Sequence, residues 1–102
     1  MSKDDHVMMM MRLPGDAVIQ VRSGILFQSL QRDAVLLDVA GDSYYALNGV
    51  GAFIWQRIAA GATVAEVVQA LVGKYGIDEA TAETDLAEMV AALQQMDIVA
   101  VV

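Results

Sequence analysis

Cysteine is absent from this 102-residue chain, which removes disulfides, zinc–thiolate sites and thiol nucleophiles together and fits a reducing compartment. Histidine occurs once, as His6, so no serine–histidine pair or histidine-based metal site is expected, and no cofactor site stands out. Basic residues are few: six Lys and Arg stand against thirteen Asp and Glu, for a formal charge of −7. That field repels the phosphates of nucleic acid. No apolar run approaches the ~20 residues of a membrane span. Near the start, Asp4 and Asp5 spoil a basic n-region and Arg12 ends the apolar stretch through Met8 to Met11, so no secretion signal is read and the chain is expected in the cytoplasm. What is abundant is apolar side chain, 57% of residues, enough to leave some apolar surface uncovered and available to a partner.

The length suits one domain with a modest core. Residues 1–16 lack periodicity and end in the Pro14-Gly15 loop signal, so they are expected to form a flexible segment, with an ordered domain over 17–102. Val18, Ile19 and Val21 suggest a short extended piece before a break at Ser23-Gly24. Residues 25–30 and 34–39 are rich in β-formers, and Gln31, Arg32 and Asp33 between them suit a hairpin loop. In the second run Val35, Leu37 and Val39 make one face fully apolar, and Leu36 and Asp38 make the other mixed. Ala40-Gly41-Asp42 forms the next turn, with Gly41 free to take a positive φ, and residues 43–47 follow as the third strand of an antiparallel meander.

Three helices come next. Asn48 caps one starting near Val50, whose Val50, Phe53, Ile54 and Ile58 repeat at helical spacing until Gly61. Thr63 and Glu66 form a capping box ahead of Val64, Val67, Val68, Leu71, Val72 and Tyr75, closed by Gly76. Asp78 caps a third helix with the stripe Ala82, Leu86, Met89, Val90, Leu93 and Met96. The β-prone tail from Ile98 packs on the sheet or frays.

Little of this is catalytic. Glu79, Glu83, Asp85 and Glu88 read as a solvated helix face. Gly49-Val50-Gly51 lacks the third glycine and the βαβ setting of a dinucleotide turn, and fits a tight strand-to-helix corner that brings Trp55 onto the sheet. Gly73-Lys74 lacks the remainder of a phosphate loop. Met89 and Met96 serve either as core filler or as an adaptable surface. Adjacent Tyr44 and Tyr45 must point to opposite faces of their strand, so one is left for the surface or a partner.

The section Leu36-Leu37-Asp38, Tyr44-Tyr45-Ala46-Leu47-Asn48, Gly51 and Ile54-Trp55, followed by Thr63 to Val68, resembles the PqqD family, whose members include stand-alone recognition proteins of lasso-peptide clusters. The resemblance implies an α+β winged helix-turn-helix domain, a three-stranded antiparallel meander followed by three helices. It also implies a non-catalytic adaptor that binds the leader of a ribosomally made precursor peptide by strand addition and hands it to a processing or modifying enzyme, a leader peptidase or a radical enzyme. On this chain the leader is expected along Tyr44, Tyr45, Ala46 and Leu47, with Leu86, Met89 and Leu93 as an apolar wall and Asp85 as a polar contact. The residues support this independently, since the third strand is an edge without Pro, Lys or Glu to discourage pairing. About four backbone hydrogen bonds at ~1 kcal/mol each and two buried side chains at ~1.5–3 kcal/mol each fit micromolar to high-nanomolar binding.

Two other readings stay open. A winged-helix DNA-binding regulator needs a basic recognition helix, and residues 78–96 contain no Lys or Arg. A self-associating domain would pair its open strand with a second copy. The expected state is a monomer or weak homodimer without nucleic-acid or membrane partners.

Overall fold

A computed structural model describes residues 13–102. His6, Met8 to Met11 and positions 1–12 of the expected flexible segment lie outside the described residues. Ahead of Ala17 the chain is already tied down: the Gly15 carbonyl accepts from the Ala65 N–H at 2.9 Å, and Leu13 packs against the core.

The elements run β1 (Ile19–Val21), β2 (Ile25–Leu30), β3 (Asp33–Asp38), β4 (Ser43–Leu47), α1 (Gly49–Ala59), α2 (Val64–Tyr75), α3 (Glu79–Gln95) and β5 (Val99–Val101). Strands β2, β3 and β4 form the antiparallel meander in sequence order, and three helices follow it, giving the α+β fold expected. The first turn is tighter than expected. Asp33 already pairs with Leu30, leaving a two-residue loop in which Gln31 takes a φ of 51°.

The C-terminal tail joins neither edge of the meander. It pairs antiparallel with β1 as a separate two-stranded sheet, Ile19 opposite Val101 and Val21 opposite Val99. Val18 and Val102 exchange backbone hydrogen bonds at 3.2 and 2.9 Å, and the Val64 N–H donates to the Ala17 carbonyl at 2.9 Å. Ile19, Ile98 and Val99 are buried, so the small sheet seals the core beside the start of α2. Strands of three residues carry too little periodic signal for their partner to be read from sequence.

The alternation expected in β3 is present, and it is the mixed face that turns inward. Ala34, Leu36 and Asp38 point into the core, and Val35, Leu37 and Val39 point outward, Val39 being 65% exposed. The inward carboxylate is tolerated because its oxygens are satisfied: Asp38 Oδ2 pairs with Arg22 Nη2 at 2.6 Å and Oδ1 accepts from the Gly41 N–H at 3.1 Å. Arg22 also donates from Nε to the Asp97 carbonyl, so one guanidinium connects the end of β3 to the approach to β5. Gly41 is needed for this contact and not for a positive φ. A Cβ there would lie 2.6 Å from Asp38 Oδ2, and the left-handed residue of the turn is Asp42, with φ 54°.

Capping explains the helix limits. Asn48 Oδ1 accepts from the Gly51 N–H at 2.8 Å. The Thr63–Glu66 capping box is closed in both directions, at 2.8 and 3.2 Å, and Asp78 Oδ1 accepts from the Thr81 N–H at 2.8 Å. These acceptors satisfy N–H groups that a first helical turn leaves open. At the other ends, Gly61 and Gly76 take positive φ, as left-handed helix terminations require. Helix α1 packs against β3 and β4, α2 packs against α3, and Ile54, Trp55, Ile58, Val67, Leu71, Leu86, Val90 and Leu93 form the centre of the core. Among the described residues no helix is long and apolar enough to cross a membrane.

Candidate functional site

Among the described residues, strand β4 has a neighbour on one side only, β3. Which of its backbone groups remain open follows from the register. The Val39 N–H donates to the Gly24 carbonyl at 3.3 Å, so that pair is hydrogen-bonded, and antiparallel ladders alternate bonded and non-bonded pairs. Continuing the alternation, Val35 and Leu37 bond toward β2, and Ala34, Leu36 and Asp38 bond toward β4. Their partners in β4 are Leu47, Tyr45 and Ser43. Tyr44 and Ala46 are therefore the residues whose N–H and C=O groups face the open edge.

Beside this edge lies a cleft of about 380 Å³, lined by Tyr45, Ala46, Leu47 and Asn48 from the end of β4, Val50, Gly51 and Ile54 from α1, and Asp85, Glu88 and Met89 from α3. The corner between β4 and α1 is tight because of its glycines. A Cβ on Gly51 would meet Leu47 Cδ2 at 3.3 Å, and one on Gly49 would meet the Arg32 carbonyl oxygen at 3.3 Å. Without those side chains, α1 starts directly off the strand, and its first turn becomes the cleft's end wall.

Of the residues expected here, Tyr45, Ala46, Leu47, Asp85 and Met89 are brought together. Tyr44 contributes its backbone, while its side chain is 69% exposed on the outer face of the sheet, beside Leu37 and in line with Leu26. Leu86 and Leu93 do not form a wall. Both are fully buried in the core, and Leu86 lies under a second groove, between α2 and α3. The stripe that identified α3 as a helix is the side that packs inward, so its most apolar positions are the least available to a ligand. Glu88, Asn48, Val50 and Ile54 line the cleft without having been singled out for it. For Glu88 the available signal was its place on the α3 face three residues after Asp85.

Among the described residues the cleft contains no nucleophile–base pair, and no three His, Asp or Glu side chains gather into a metal-holding group. Among the described residues, the arrangement offers a strand edge with four free backbone groups, next to a wall that is part apolar and part acidic.

Residues 33–99 match the family described as coenzyme PQQ synthesis protein D, PqqD. Two solved structures share the fold. TbiB1 in complex with the TbiA(beta) leader peptide is 26% identical, with 78% of this chain and 93% of that chain covered and a TM-score of 0.74. Lasso peptide synthetase B1 complexed with the leader peptide is 30% identical, with 80% and 96% covered and a TM-score of 0.73. No curated protein matches the sequence. With the family's match running from the start of β3 into β5, the chain belongs to the PqqD family.

Proposed function

We propose that this protein is a non-catalytic adaptor that captures the leader of a ribosomally synthesised precursor peptide as a fourth strand on β4 and presents it to a processing or modifying enzyme. The open edge at Tyr44 and Ala46 beside the α3 cleft is the observation that carries this reading. The two solved relatives above are both complexes with leader peptides. Strand addition is a general mode of peptide recognition, in which main-chain hydrogen bonds supply affinity and alternate side chains supply specificity.

The two open residues offer two N–H and two C=O groups, about four hydrogen bonds at ~1 kcal/mol net each. Two inward leader side chains add ~1.5–3 kcal/mol apiece on burial, against the cost of ordering a flexible peptide. The balance is micromolar to high-nanomolar affinity, roughly −8 to −9 kcal/mol, tight enough to raise the local leader concentration for an enzyme and weak enough to release it. The absence of cysteine suits the cytoplasm, where such peptides are made.

Amide hydrogen exchange with the leader of a precursor peptide encoded beside this gene tests the geometry. The Tyr44 and Ala46 amides are expected to exchange freely in the unliganded protein and to become protected on leader addition, with Tyr45 and Leu47 protected in both states. Protection that appears elsewhere and spares Tyr44 and Ala46 contradicts strand addition at β4.

A further inference from the structure

We propose that the peptide strand accepted by β4 carries a Lys or Arg side chain pointing inward, two residues from an inward apolar side chain, and that Asp85 and Glu88 select it. This rests on the strand-addition reading. In an added antiparallel strand, residues opposite Tyr45 and Leu47 project to the same side as those two. That side is inward, since Leu47 is buried and Tyr45 packs on the core. A bound strand therefore sends two side chains into the cleft, separated by one residue.

The cleft has two chemistries to receive them. Val50, Ile54 and Met89 suit the apolar side chain, and Asp85 and Glu88 present two carboxyl groups from α3. Residues three apart on a helix are neighbours, and like charges at that spacing destabilise it, an arrangement that a cation between them offsets. This chain supplies no such cation from its described residues. The one ion pair there is Arg22–Asp38. Arg57 and Lys74 lie 4.8 and 5.3 Å from the centroid of the Phe53 ring, and Arg32 sits in the β2–β3 turn; none lines the cleft. A strand with an acidic residue at the inward position meets uncompensated like charge, so the wall also rejects leaders of the wrong sign.

The test selects a displayed library of random decapeptides on the intact protein, on A46P and on D85N/E88Q. On wild type, the enriched peptides are expected to carry Lys or Arg at a fixed position two residues from an apolar one. On D85N/E88Q the apolar preference is expected to persist, while the basic preference disappears and a wild-type-selected peptide binds about three- to tenfold more weakly. Raising the salt concentration is expected to weaken that peptide on wild type and hardly at all on the double variant. Peptides that lose binding to A46P but show no basic preference on wild type would overturn the inference and leave strand addition standing. Failure to select any peptide sensitive to A46P overturns the underlying reading instead.

Discussion

Two glycines with opposite surroundings separate packing from propensity at the residue scale. Gly73 lies inside α2, where a Cβ would meet nothing within 4 Å, so G73A is expected to stabilise the protein by about 0.5–1 kcal/mol through helix propensity alone. At Gly41 an added Cβ strikes the Asp38 carboxylate that Arg22 holds, so G41A is expected to lower Tm. Thermal unfolding of the two variants checks both signs. Asp38 adds a pH dependence. The Gly41 N–H, followed by the Arg22 guanidinium, holds its carboxyl below the ordinary value of 3.8, with burial acting in the opposite direction. A carboxyl depressed in the folded state stabilises above its unfolded value, and the benefit is lost as pH falls through the folded value. D38N is therefore expected to have a lower Tm than wild type near neutrality, with the gap closing as pH drops below the ordinary carboxylate value. A gap that persists unchanged in acid contradicts this role.

At the scale of elements, the helices were the most legible part of the sequence because their ends carry side-chain signals. Asn48, the Thr63–Glu66 box and Asp78 cap where their types and spacings indicated, and T63A is expected to cost about 1 kcal/mol in denaturant unfolding. The end of α3 was harder to read, because the left-handed position after its cap is Asp97, φ 60°, and not a glycine. There the Ile98 N–H reaches the Leu93 carbonyl at 2.9 Å and the Asp97 N–H reaches the Gln94 carbonyl at 3.0 Å, a Schellman closure without its usual residue. The meander was legible from alternation, but the inward face of β3 was not. Both faces carry apolar residues, and the deciding partner of Asp38 is Arg22, sixteen residues away. The site was legible to the same extent: the edge strand and Met89 follow from local pattern, whereas the burial of Leu86 and Leu93 depends on how α3 packs. The ladder also distinguishes two proline substitutions. Proline at 46 removes an N–H that bonds no neighbour, while proline at 45 removes one that bonds β3, so A46P is expected to retain the wild-type helical circular dichroism and Y45P to lose stability.

For the whole molecule, the charge of −7 and the lack of any Lys or Arg on α3 leave little to attract a DNA backbone, and no feature of the described residues favours the DNA-binding reading. The outer face of the meander keeps Leu26, Val39 and Tyr44 more than half exposed, the uncovered apolar surface that the composition implies. A protein that lends one strand edge to a peptide, as proposed for this chain, need not enclose a reaction chamber. A small core, a rigid strand-to-helix corner and an acidic, partly apolar wall are sufficient. Fluorescence-anisotropy titration of wild type and A46P with the labelled leader of any precursor peptide encoded beside this gene tests this account most directly. It predicts saturable binding by wild type near or below micromolar, and at least about a tenfold loss in a folded A46P; a folded wild type that fails to bind, or an A46P variant that binds equally well, contradicts it.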